Sequence, residues 1–258
     1  MTTPRMTNDH PVAADAPRAD EAVQALPGRT DQGDDAQTGE EQQAEILAAL
    51  TDGRLFASSS PAPAPQHIET HCSHIFLTGE RAFKMKRAIA FSYLDYRTLE
   101  ARERCIKAEL ELNRRTAPQL YLRCHKIIRA AEDRLAFAPP SDPRPALDWL
   151  VEMRRFADDA LLADRADRGL LTAGQMRDLA DAIHDFHVAA AQRPDHGGAA
   201  EMARVLDECL DNMRLRVPPL AAAEIERLAE AMDQQVSALL GLIDRRRQRG
   251  YVRQCHGD

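Results

Sequence analysis

The sequence predicts an α+β fold, with a small antiparallel β-sheet in its N-terminal part and helices in its C-terminal part. Three observations carry that reading. Residues 73–77 and 82–86 are two strand-like runs flanking the turn Thr78-Gly79-Glu80-Arg81, which is a β-hairpin signature. Thr172-Ala173-Gly174-Gln175 has the form of a capping box, followed by Met176, Leu179, Ile183, Phe186 and Ala190 at helical spacing. A second long helical pattern starts near residue 221 and stops at Gly250, a residue suited to the left-handed turn that ends helices.

Taken in order, residues 1–40 are rich in Asp, Ala, Pro, Thr and Gln and hold almost no large apolar side chain. Such a segment cannot bury enough surface to offset its ordering entropy, so it is expected to be a disordered acidic tail. Ile46, Leu47, Leu50 and Leu55 then mark a short amphipathic helix, and Ser-Ser-Ser-Pro-Ala-Pro-Ala-Pro at 58–65 a linker. In the second strand of the hairpin, Phe83 and Met85 fall on one face and Lys84 and Lys86 on the other. A strand face with two lysines either faces solvent or meets an anion such as a nucleotide phosphate. Residues 97–117 form a helical pattern through Leu99, Ile106, Leu110 and Asn113, with Glu109 placed to reach back to the sheet. Strands are expected over 123–129 and 135–137, around the turn Ala131-Glu132-Asp133, and over 147–156. Past that point the pattern is helical, with helices near 200–216 and 221–249 separated by Pro218-Pro219. Residues 251–255 read as a short extended lead into His256-Gly257-Asp258.

Composition excludes several classes of function. A net charge of −7 argues against a nucleic-acid binder, and Arg245, Arg246, Arg247 and Arg249 are explained by the negative end of a helix dipole. No run of about twenty apolar residues is present and the N-terminus lacks a basic-then-apolar signal, so no membrane partner and cytoplasmic residence are expected. Cys72, Cys105, Cys124, Cys209 and Cys255 are odd in number and scattered, which suits buried or incidental thiols rather than a disulfide framework or zinc knuckle. His184 and His187 lie three apart near Asp181 and Asp185 without an H-E-x-x-H pattern, and their apolar neighbours indicate ordinary packing. Cys255 and His256 are adjacent in an extended segment, which points them to opposite sides and does not suit a nucleophile pair. No G-x-x-x-x-G-K-[ST] motif occurs in the chain.

The order of parts is a hairpin with strand lysines, a helix with a central Glu, further strands, helices and then His-x-Asp. It resembles the aminoglycoside phosphotransferase family, a branch of the protein-kinase-like fold, and most closely its bacterial members often joined to a P-loop ATPase domain. The stretches that carry the resemblance are Ile68-Glu69-Thr70-His71, residues 76–86 (Phe-Leu-Thr-Gly-Glu-Arg-Ala-Phe-Lys-Met-Lys) and 91–99. Residues 109–115, Met153-Arg154-Arg155-Phe156 and Cys255-His256-Gly257-Asp258 complete the set. Together they span about residues 40–258.

The resemblance implies a bilobal fold: a sheet-bearing lobe over 41–156, then a helical lobe over 157–258 that is incomplete. Lys86 resembles the strand lysine that holds nucleotide phosphates, with Lys84 as the other choice on the same face. Glu109 resembles the helix glutamate that positions that lysine; Glu111 lies about 200° further round the helix. The segment 70–74, with Ser73, resembles the loop that covers the nucleotide, although it has no G-x-G-x-x-G run. Met153 belongs to a segment resembling the hinge that meets adenine. Asp258 resembles the residue that takes the proton of the acceptor hydroxyl, and His256 the one that orients its loop. ATP and Mg2+ are the implied cofactors, and a small-molecule hydroxyl the implied acceptor. The metal-binding residues that follow this motif in the family are absent from the chain. The expectation is therefore a truncated, inactive fragment, with a P-loop domain downstream in a longer parent. The alternatives are a non-catalytic nucleotide-binding or regulatory module and a purely structural helical domain.

Overall fold

A computed structural model describes residues 43–56, 64–91, 93–216 and 222–255, apart from the side chains of Asp158 and Arg216. The expected tail, most of the linker, and His256 and Asp258 lie outside the described residues. The chain divides into two units, one ending at Arg155 and the other beginning at Phe156.

The first unit is built on a six-stranded sheet in which every pair is antiparallel. Its strands are β1 (Gln66–Glu69), β2 (Ser73–Thr78), β3 (Arg81–Lys86), β6 (Tyr121–Arg129), β7 (Leu135–Ala138) and β8 (Asp148–Arg154), in the order β1-β2-β3-β8-β6-β7. Two short strands, β4 (Ala90–Phe91) and β5 (Leu94–Asp95), pair separately. The expected hairpin forms with Thr78 opposite Arg81, leaving the two-residue loop Gly79-Glu80. Gly79 sits at φ 52°, the left-handed conformation that a tight hairpin loop asks of its first residue.

A helix covers each face of this sheet. The described part of α1 (43–51) lays Ile46 and Leu50 against Phe76, Phe83, Met85, Ile127 and Leu150, all buried. On the opposite face α2 (Leu99–Arg114) packs Ile106 against Cys124, Trp149 and Val151. Thr98 caps α2, its hydroxyl accepting the Ala101 amide, so the helix is shorter at both ends than the expected 97–117. Burial pushes the Cys124 thiol up to about 11, which suits a packing role.

The second unit is helical: α3 (Leu162–Asp167), α4 (Ala173–Ala189), α5 (Ala199–Arg216) and α6 (Ala222–Gln248). The capping box at the start of α4 is present, with the Thr172 hydroxyl accepting the Gln175 amide and the Gln175 side chain accepting the Thr172 amide. The sequence did not mark α3. Gly250, at φ 76°, turns the chain after α6, and a Cβ there would lie 2.5 Å from the Gln192 side chain. Of the expected extended lead over 251–255, Arg253 forms an isolated antiparallel bridge with Gln192, the Arg193 amide donates to the Val252 carbonyl and the Gln254 amide to that of Ala191, whereas the Cys255 amide turns back to the Arg253 carbonyl. Among the described residues no helix is long and apolar enough to cross a membrane.

Candidate functional site

Strand alternation and helix periodicity bring the candidate lysines and Glu109 together. Along β3, Lys84 and Lys86 are two residues apart, about 7 Å, and share the face that α2 covers. Along α2, Arg102, Ile106 and Glu109 follow one another at the four- and three-residue steps that line up one face. The Lys84 Nζ donates to Glu109 Oε1 at 2.7 Å, and the Lys86 Nζ lies 2.8 Å from Oε2. One carboxylate thus holds two ammonium groups, and the trio carries one net positive charge.

The two lysines are not equivalent. The Lys84 side chain is 25% exposed, against 9% for Lys86 and 10% for Glu109. The Lys86 ammonium also lies 5.3 Å from the centroid of the Tyr96 ring, within cation–π range. Burial opposes ionisation of Glu109, but the Lys86 and Lys84 charges and their hydrogen bonds outweigh it. The carboxyl is held below its ordinary value. Burial pushes the Tyr96 phenol well above its usual range, so the ring acts as a neutral wall.

Ser73 and Met153 lie on the same face of the sheet. Ser73 pairs directly with Lys86 across β2 and β3 and is fully buried. The segment 70–74 is not all loop, because Ser73 and His74 begin β2. The physical reason is the turn at Thr70: its hydroxyl accepts the Ser73 amide, and its own amide donates to the Ser73 carbonyl, closing the connection in three residues. Met153 stands opposite Ala82 on β3, inside β8, which ends at Arg154 rather than at residue 156. Its side chain packs against the cluster around Ile106 and Trp149. Glu111 is exposed on the other side of α2. His184 and His187 are both exposed on α4.

Sequence reasoning missed Tyr96, and also Gln43, Arg102 and Asp148, which surround the lysine strand and its helix. An acid opening an otherwise apolar strand, Asp148-Trp149-Leu150-Val151, was the one available signal. In the second unit, Arg245 and Arg246 stand in the last turn of α6, as the helix-end reading has it, and Arg249 follows just after it. With Met202, Val205 and Tyr251 they line an open groove of about 710 Å³.

The chain is 31% identical over 195 residues to uncharacterized proteins of Mycobacterium bovis and of two strains of Mycobacterium tuberculosis. The match covers 74% of this chain and 36% of each relative, so the chain spans about a third of the length of these curated relatives. No protein-family profile matches the chain, and no solved structure matches it.

Proposed function

We propose that this chain is the nucleotide-binding part of a phosphotransferase of the aminoglycoside phosphotransferase type, with a protein-kinase-like fold and a small-molecule hydroxyl as acceptor. The single observation that supports this most is the seating of Glu109 between Lys84 and Lys86, on the inner face of a small antiparallel sheet. A helix carboxylate that holds a strand ammonium in place is what phosphoryl transfer asks of its nucleotide site. Catalysis there is mostly positioning and charge stabilisation, and a preset ammonium needs no reorganisation when a phosphate arrives.

In this reading ATP supplies the phosphoryl group. Lys84, the more open lysine, meets the phosphate oxygens first, while the buried Lys86 keeps Glu109 ionised and aimed. The net positive charge of the trio favours an anion over a neutral ligand. Asp258 takes the acceptor proton and His256 orients it. Among the described residues no group of three or more His, Cys, Asp or Glu side chains could hold a metal ion, so none of them is assigned to magnesium.

The test is titration of the chain with a fluorescent ATP analogue in the presence of magnesium. Binding is expected for the wild type, with affinity about tenfold to a hundredfold weaker for Lys84→Ala and for Lys86→Ala, the range for losing a charge-assisted hydrogen bond. Equal affinity in the wild type and the double variant, or no binding by the wild type, would overturn the reading.

A further inference from the structure

A second set of polar side chains, wholly buried, stands behind the lysine pair at the end of the sheet where β8 begins. Asp148 is fully buried and accepts three hydrogen bonds: from Gln43 Nε2 at 2.6 Å, from Arg102 Nε at 2.9 Å and from the Trp149 amide at 2.8 Å. Arg102, 1% exposed, also donates from Nη1 to the carbonyls of Tyr96 and Arg97, at 3.0 and 2.8 Å. Gln43 donates to the backbone carbonyl of Lys86 at 2.9 Å, and its Oε1 accepts the Ala88 amide at 2.9 Å. Three residues distant in sequence therefore grip the site from both layers. Gln43 comes from α1 on one face of the sheet and Arg102 from α2 on the other, with Asp148 joining them.

Each bond fixes something the lysine site depends on. Gln43 holds the backbone of Lys86 and the chain just past it, which sets where that side chain starts. Arg102 lies seven residues before Glu109 on the same helix, two turns away and on the same face, so it sets the rotation and height at which α2 presents Glu109. Its bonds to Tyr96 and Arg97 hold the segment carrying the ring beside Lys86. A buried ion pair adds little net stability over an apolar replacement, but it tolerates only one arrangement. Such a pair at this place makes sense as a geometric constraint.

We infer that Gln43, Arg102 and Asp148 are positioning residues that set the Lys84–Glu109–Lys86 geometry. All three are buried, so the role assigned to them is to hold the trio and not to meet the nucleotide. The inference rests on the nucleotide-site reading for its consequence, ATP affinity, and on the geometry alone for the state of the lysines. Two readouts separate the two. Acylation of Lys84 and Lys86 relative to exposed Lys107, followed by mass spectrometry without nucleotide, reports the pair directly. Titration with the fluorescent ATP analogue reports the consequence.

Gln43→Met keeps the bulk of the side chain and removes its hydrogen bonds. Relative acylation of Lys86 is expected to rise about tenfold, the effect of loosening by one or two buried hydrogen bonds, and ATP affinity to fall by a similar factor. Arg102→Lys keeps the charge but loses the fork, and should act in the same direction on Lys84 and Lys86 together. A lower melting temperature with lysine acylation unchanged would mean a merely structural network and would overturn the inference. A change in acylation in a chain that never binds ATP would sustain it while refuting the nucleotide reading. Should neither variant fold, the wild type decides in sub-denaturing urea. The Ala88 amide, held by Gln43, must then open to hydrogen exchange with the same free energy that exposes Lys86 to acylation. Opening of Ala88 at clearly lower urea, with Lys86 still protected, would overturn the inference.

Discussion

Phe76, Met85, Ile127 and Leu150 of the sheet unit are fully buried, whereas Leu179, Ile183 and Val188 of α4 in the helical unit remain 37–59% exposed. Both regions have regular apolar periodicity. What differs is the number of layers around it. The sheet has α1 over one face and α2 over the other, so both sets of alternating side chains find partners. The apolar stripes of α4, α5 and α6 are as regular, yet only Ala190, Leu210 and Ile225 are buried among the described apolar residues of that unit. Periodicity thus tells which face of an element is apolar and leaves open what covers it.

The largest expected effect tests that contrast through charge. Arg102→Ala leaves Asp148 buried and uncompensated, at a cost of about 3–5 kcal/mol. Arg204→Ala on α5 removes exposed, solvent-screened bridges to Glu201 and Glu208 and should cost far less than Arg102→Ala. The single tryptophan, Trp149, lies in the sheet core, so urea unfolding followed by its fluorescence isolates the first unit. Hydrogen exchange across α5 follows the second. Similar costs for both changes would break the comparison.

A smaller contrast uses apolar truncation alone. Leu150→Ala, in a closed core, should cost about 2–5 kcal/mol from lost burial and the cavity left behind. Ile183→Ala, at a half-open position, should stay within about 1 kcal/mol. The same unfolding and exchange measurements apply, and a loss at Ile183 as large as at Leu150 would show that the α4 face is covered in solution.

The parts of this molecule legible in its sequence are those set by short-range rules. Period-two alternation put Lys84 and Lys86 on one face, helix spacing put Glu109 towards the sheet, and the capping box at Thr172 needed only four residues. Alternation placed Ser73 at the start of a strand, as in β2, whereas the resemblance put it in a covering loop; the Thr70 hydroxyl, accepting the Ser73 amide, closes the β1–β2 turn before it. The Arg102–Asp148 pair joins residues 46 apart, and Gln43 reaches Asp148 across 105 positions. No local pattern encodes such partners. The choice between Lys84 and Lys86 could not be made from alternation, since both satisfy it, and both engage the same carboxylate.

The finest contrast lies inside the sheet unit, between the wholly buried Arg102–Asp148 pair and the partly open lysine–Glu109 trio. Glu109→Gln keeps the shape of the side chain and removes its charge, leaving two ammonium groups side by side. At pH 7 the wild type should exceed this variant by about 1–3 kcal/mol, the scale of hydrogen bonds to a charged group. The folded-state pKa of Glu109 lies below its ordinary value of 4.5, so the contribution is fully present above pH 4.5. It is lost as pH falls through the lowered folded value, where the wild-type carboxyl becomes neutral too. Urea midpoints of the two proteins, read by Trp149 fluorescence from pH 7 down to pH 3, should therefore converge only on the acid side. A gap that stays constant with pH would mean that the charge of Glu109 does not stabilise the sheet unit and that its contribution is one of shape alone.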